Sequence, residues 1–118
     1  MSRRPVGLLI EDIWEAIEKI ERFLAGLDHD AFLQDDRTVD AVVRNLEIIG
    51  EAAGRLPAAF RSGHPDIEWR RIVGLRNRIV HDYFGIDLEI VWAILEHELP
   101  DFKEKIRALR EDQRDDEK

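Results

Sequence analysis

Apolar side chains recur at three- and four-residue steps along nearly the whole chain. Leu9, Ile13, Ala16, Ile17, Ile20, Leu24 and Leu27 are separated by Glu11, Asp12, Glu15, Glu18, Lys19 and Glu21. That period predicts an amphipathic helix of about five turns. Asp28-His29-Asp30 reads as its exit loop, and residues 31–36 carry no clear period. A second stripe, formed by Val39, Val42, Leu46, Ile49, Ala53 and Leu56, predicts a helix that opens near Asp36 or Thr38 and closes at Pro57. Either opening residue suits an N-cap, because a short oxygen-bearing side chain can accept from the unpaired first-turn amides. Gly50 and Gly54, four apart, leave room for another helix to approach. Residues 58–66, with Gly63 and Pro65, read as an irregular or single-turn connection.

A third helix is expected to begin between Asp66 and Glu68. It carries Trp69, Ile72, Val73, Arg76, Ile79 and Val80, and stops at Phe84-Gly85, where glycine is the natural terminator. Asp87 suits the cap of a fourth helix with Leu88, Val91, Trp92, Leu95 and Leu99. Pro100 fits the first turn of a continuation through Phe102, Ile106 and Leu109. No hairpin signal, internal repeat or low-complexity stretch interrupts this pattern. The fold it predicts is all-α, a four- to five-helix up-and-down bundle.

Length narrows this to one domain, since 118 residues bury one real core and not two. The domain is expected over residues 1–112, with 113–118 a charged, frayed tail. Cysteine is absent, which removes disulfides, thiolate metal sites and cysteine nucleophiles, and leans towards a reducing compartment. The basic opening Met-Ser-Arg-Arg-Pro has no uninterrupted apolar stretch behind it, because Ile10 is followed at once by Glu11 and Asp12. A cytoplasmic protein with no membrane partner is therefore expected.

The net charge of −8 argues against a protein that coats nucleic acid. Its distribution changes the picture. Between Arg44 and Tyr83 seven arginines stand against five acids, a balance of +2, so the rest of the chain carries −10. A local arginine patch on an acidic body suits a site that grips a few phosphates, or else a solvated surface of ion pairs.

One segment departs from ordinary bundle sequence. Arg76-Asn77-Arg78-Ile79-Val80-His81-Asp82-Tyr83 sets two arginines, an asparagine, a histidine, an aspartate and a tyrosine around β-branched residues. The order Arg-Asn-x-x-Val-His-Asp-Tyr resembles the Arg-x4–6-His motif of HEPN domains, and is closest to their HepT-like branch, the toxins of HepT–MntA type toxin–antitoxin modules. The stretches 44–57 (RNLEIIGEAAGRLP), 69–92 (WRRIVGLRNRIVHDYFGIDLEIVW) and 99–106 (LPDFKEKI) also look like landmarks of that family.

The resemblance implies a HEPN-like bundle that forms a two-fold dimer and cuts RNA, a tRNA or an mRNA, without metal or other cofactor. Arg76 and His81 would be the catalytic pair, with Asn77 as supporting neighbour. Tyr83 would be the tyrosine that a partner MntA-like nucleotidyltransferase antitoxin adenylylates to silence the toxin. The rival implication is a non-catalytic HEPN module that binds nucleotide or scaffolds a nucleotidyltransferase.

The chemistry can also be built from the residues. Attack by the RNA 2′-hydroxyl needs one group to take a proton, another to give one to the departing 5′-oxygen, and positive charge on the phosphorane-like transition state. Histidine titrates near neutrality and serves either proton role. Arginine offers a fixed fork of donors and stays charged, which suits charge stabilisation. No acidic cluster of the kind that holds magnesium adjoins them.

Five residues of a straight helix turn through about 140° and rise about 7.5 Å, so Arg76 and His81 would not share a face. Either the helix distorts, or the arginine's reach closes the gap, or a second protomer completes the site across a two-fold axis. If His81 sits in the last helical turn, the helix dipole favours its protonated form. Arg78 points elsewhere and reads equally as an RNA contact or a salt-bridge arginine. Arg44 either contacts RNA, orients the site, or pairs with Glu47 or Glu51. His29, His64 and His97 read as incidental, His97 standing beside Glu96 and Glu98 but with no second histidine three or four residues away, and Trp14, Trp69 and Trp92 read as core.

Overall fold

The computed structural model describes residues 4–81 and 85–116. The first stripe forms α1 (Val6–Leu24), which stops short of Leu27 because Gly26 turns the chain at φ +80°, and the second forms α3 (Asp36–Arg55), each with its apolar face buried. These two make the central pair; the C-terminal helix α8 (Leu99–Asp116) packs on α1. Ile10, Ile13, Ile17, Ile20, Val42, Leu46, Ile49 and Ile106 are sealed from solvent between them. The fold is therefore the expected all-α bundle, and α8 stays helical to Asp116 through the stretch expected to be the tail. No helix among the described residues is long and apolar enough to cross a membrane.

His29 and Asp30 of the expected exit loop join residues 31–34 in a short helix, α2 (His29–Gln34), because Asp28 caps it, its carboxylate accepting from the Ala31 amide at 2.8 Å. Helix α3 is capped one residue earlier than the pattern suggested. Asp35 accepts from the Thr38 amide at 3.1 Å and from the Thr38 hydroxyl at 2.8 Å. Those bonds, the backbone one foremost, hold the Asp35 carboxyl below the usual carboxylate range. The connection after Pro57 contains one turn, α4 (Ala58–Ser62).

The third predicted helix is not continuous. It divides into α5 (Trp69–Val73) and α6 (Leu75–Ile79), which meet at Gly74. A side chain at Gly74 would stand 3.1 Å from the Arg70 carbonyl oxygen, so the carbonyl would have to yield by a few tenths of an ångström to admit one. Helix α6 then ends at Ile79, well before Phe84-Gly85. Val80 and His81 instead form β1, paired antiparallel with β2 (Gly85–Ile86), Val80 opposite Ile86 and His81 opposite Gly85. The pattern carried no hairpin signal, but two local preferences favour one. Val80 is β-branched, and Gly85 adopts φ +75°, a left-handed conformation that glycine tolerates without strain.

Asp87 opens α7 (Leu88–Ala93) as expected, accepting from the Ile90 amide at 3.1 Å. Between α7 and α8 the helix widens into a π-type segment over Ile94–Glu98, with the Leu99 amide reaching back to the Ile94 carbonyl. Pro100 explains the position. It lacks an amide hydrogen and its ring crowds the carbonyl four residues earlier, that of Glu96, so a regular turn there is unfavourable.

Candidate functional site

Residues 76–81 occupy the end of α6 and the start of the short ladder, and α3 forms the opposite wall. Two close approaches set this arrangement. Gly50 faces the end of α5 so closely that a methyl there would meet the Ile72 carbonyl oxygen at 3.1 Å. On the other side Leu75 and Ile79, both buried, fasten α6 into the core. The result is a groove of 340 Å³ lined by Glu47, Gly50, Glu51 and Gly54 of α3, by Val73, and by Arg76 and Asn77.

The segment's side chains divide in two directions. Arg76 and Asn77 are exposed at the groove. Arg78 turns away to Glu98, with Nη1 donating to Oε1 at 2.9 Å and Nη2 donating to Oε2. Arg71 donates to the same carboxylate at 3.3 Å. The Arg78 hydrogen bonds, working against partial burial, hold the Glu98 carboxyl below the usual range, and Arg71 adds to that. Of the two readings left open for Arg78, its contacts are those of a salt-bridge arginine. Arg44 is exposed on α3, and among the described residues it is Glu47 and Glu51, not Arg44, that line the groove.

His81 is not in a helical turn, so an effect of the helix dipole on it falls away. The helix stops at Ile79 and the chain straightens, with the Asp87 amide donating to the Ile79 carbonyl at 2.7 Å. The 140° offset expected of a straight helix therefore does not apply. Over Val80 and His81 the chain is extended, advancing about 3.3 Å per residue, twice the helical rise. Tyr83 lies outside the described residues, and for His81 the backbone alone is described.

Among the described residues no group of three or more His, Asp or Glu is placed to hold a metal ion. Trp14 and Trp69 are buried, as expected of core residues, and the Trp69 indole donates to the His64 carbonyl at 3.0 Å. Trp92 is half-buried and stacks on His29, with ring centres 5.2 Å apart. Glu98, which the sequence marks only as a neighbour of His97, is the partner of Arg78. It lies twenty residues beyond Arg78, and the local signal for it is Pro100, which marks a distorted turn but not what that turn presents.

Comparison with known proteins adds a separate line. A family model described as "Ribonuclease HepT-like" matches residues 13–109. "Probable ribonuclease HepT" of Thermococcus cleftensis is 43% identical, over 86% of this chain and 92% of that protein. "Putative RNase MJ1380" of Methanocaldococcus jannaschii is 37% identical, over 92% of this chain and 100% of that protein. "mRNA nuclease HepT" of Shewanella oneidensis is 42% identical over a shorter stretch, 35% of this chain and 31% of its own. No solved structure matches significantly.

Proposed function

Because the chain belongs to the ribonuclease HepT-like family, we propose that it is an endoribonuclease toxin that cuts RNA without metal through Arg76 and His81. The observation that carries this reading is the exposure of Arg76 and Asn77 at the mouth of a groove, while their neighbour Arg78 is tied to Glu98.

In this reading the RNA 2′-oxygen attacks phosphorus and loses its proton to a base, and the bond from phosphorus to the 5′-oxygen breaks as that oxygen takes up a proton. His81 carries one of those protons. Arg76 presents two parallel donors to the non-bridging oxygens, where negative charge builds up. Asn77, beside it, donates to the same phosphate or its neighbour. A two-fold dimer would set two such segments around one cleft, and an acidic body with a local arginine patch suits contact with a few phosphates only. A partner nucleotidyltransferase of the MntA type would silence the toxin by adenylylating Tyr83.

The test is cleavage of total tRNA and of an mRNA by the purified chain in EDTA. The parent should cut, and Arg76→Ala and His81→Ala should each lose at least about 100-fold, the usual scale for removing a charge stabiliser or a proton carrier, with unchanged circular dichroism. Activity that vanishes in EDTA and returns with magnesium would refute the metal-independent route. Full activity in the double substitution would refute the site.

A further inference from the structure

Helices α5 and α6 are five residues each, far too short to hold a direction by their own hydrogen bonds. The angle between them must be set from outside, and Arg76 leaves from the second of them. Packing against Gly50 of α3 touches both sides of the bend, and the charged contact that spans it among the described residues is made by Glu98. Its carboxylate takes Arg71 from α5 at 3.3 Å and both terminal nitrogens of Arg78 from α6, so one side chain grips the chain on either side of Gly74. The geometry with Arg78 is a two-pronged fork, and the two side chains are only 23% and 30% exposed. Partly desolvated bidentate pairs belong to the strong class of ionic contacts, unlike single-pronged surface pairs such as Lys19 with Glu15.

Glu98 owes its place to the π-type segment. A π turn takes in one extra residue, which rotates the residues after it by about 100° relative to a regular helix, and Glu98 ends that segment just before Leu99 and Pro100. The carboxyl, held below its usual range by Arg78, stays ionised through neutral pH.

We propose that Glu98 is a positioning residue for the ribonuclease site, which through Arg71 and Arg78 fixes the bend at Gly74 and so the direction in which Arg76 and the His81 strand are presented. This rests on the ribonuclease reading above. Glu98 touches no RNA in this scheme; it acts through the two arginines.

The experiment is Glu98→Gln in the full chain, which keeps the side chain's volume and removes its charge, with Glu98→Asp as the conservative companion. Two readouts are followed below the melting transition. In RNA cleavage, Glu98→Gln should lower kcat at least tenfold with KM changed less than twofold, and Glu98→Asp should recover to within threefold of the parent. In amide exchange, three amides report the bend: Arg78, bonded to Gly74 at 3.1 Å, Val80, bonded to Arg76, and Asp87, bonded to Ile79. They should exchange at least tenfold faster in Glu98→Gln, while α1 and α3 stay as protected as in the parent.

Unchanged kcat together with unchanged exchange at the three amides overturns the proposal. So does faster exchange spread equally over α1 and α3, because Glu98 would then support stability in general. If the parent cuts no RNA, the ribonuclease reading fails by itself. Exchange then decides alone: local acceleration at the three amides sustains the clamp, and its absence overturns it.

Discussion

Gly50 and Gly54 lie four residues apart on α3, and alanine at each should act in opposite directions. Both substitutions gain helix propensity, about 1 kcal/mol for Gly50 in the interior and about 0.5 kcal/mol for Gly54 beside the helix end. What differs is the wall each new methyl meets. At Gly54 the nearest atom is Val73 Cγ1 at 3.6 Å, an ordinary van der Waals contact. At Gly50 the methyl meets the Ile72 and Val73 carbonyl oxygens at 3.1 and 3.5 Å and Leu75 Cβ at 3.8 Å. Two of these three are backbone atoms of a segment that bends at Gly74, so α5 must retreat by a few tenths of an ångström.

Overpacking of this kind costs about 2 kcal/mol, which leaves Gly50→Ala less stable by about 1 kcal/mol. An unfolding entropy near 2.1 cal/mol/K per residue makes 1 kcal/mol worth about 4 °C for a chain of this length. Gly50→Ala should therefore melt about 4 °C lower than the parent and Gly54→Ala about 2 °C higher. Urea titration followed by far-UV circular dichroism should give the same order with unchanged m-values. Equal stabilisation by both, or the reverse order, would show that α5 stands further from α3 than these distances require and that Gly50 has no steric reason to be glycine.

Four further outcomes can be measured. Ile79, fully buried at the end of α6, should cost about 1 kcal/mol as Ile79→Val and about 3 kcal/mol as Ile79→Ala in chemical denaturation, the difference reflecting the cavity left behind. Glu98 has a native pKa below its unfolded value, so the unfolded chain binds the extra proton. Its contribution to stability is complete above the usual carboxylate range and is lost as pH falls through the lowered native value. Glu98→Gln should accordingly flatten the acid side of the melting-temperature profile, and an unflattened profile would contradict the ion pair. Arg76→Lys should lose about 100-fold in kcat with little change in RNA affinity, because a lysine supplies charge without the two-pronged fork; undiminished kcat would show that charge alone suffices there. Tyr83→Phe should still cut RNA but resist silencing by a co-expressed MntA-type nucleotidyltransferase, and silencing equal to the parent's would remove Tyr83 as the switch.

The elements that were legible in the sequence share one property: their hydrophobic period runs long enough to outvote local irregularity. Helices α1, α3 and α8 are of that kind, as is the Asp87 cap of α7, where an oxygen-bearing residue directly precedes a periodic run. The elements misread are those in which a single residue overrides the period. Gly74 falls in the middle of an apolar stripe, and the period passes through it unchanged, yet the helix breaks there, at a residue whose missing side chain leaves the Arg70 carbonyl room. The stripe likewise continues through Ile79 to Val80, but from Val80 extended backbone wins, paired with the strand that Gly85 opens at positive φ.

The segment from Arg76 to Tyr83 follows the same division. Its residue types and order were sufficient to point to a ribonuclease family, because the kinds of side chain and their spacing are properties of sequence. The sequence already turned Arg78 away from Arg76, two residues apart, but whether Arg78 meets RNA or an acid could not be read there. The tertiary structure decided it by bringing Glu98 from a distant helix, on a turn widened by Pro100, to Arg78. Long-range pairing of charges depends on how helices pack, and no local pattern encodes the partner.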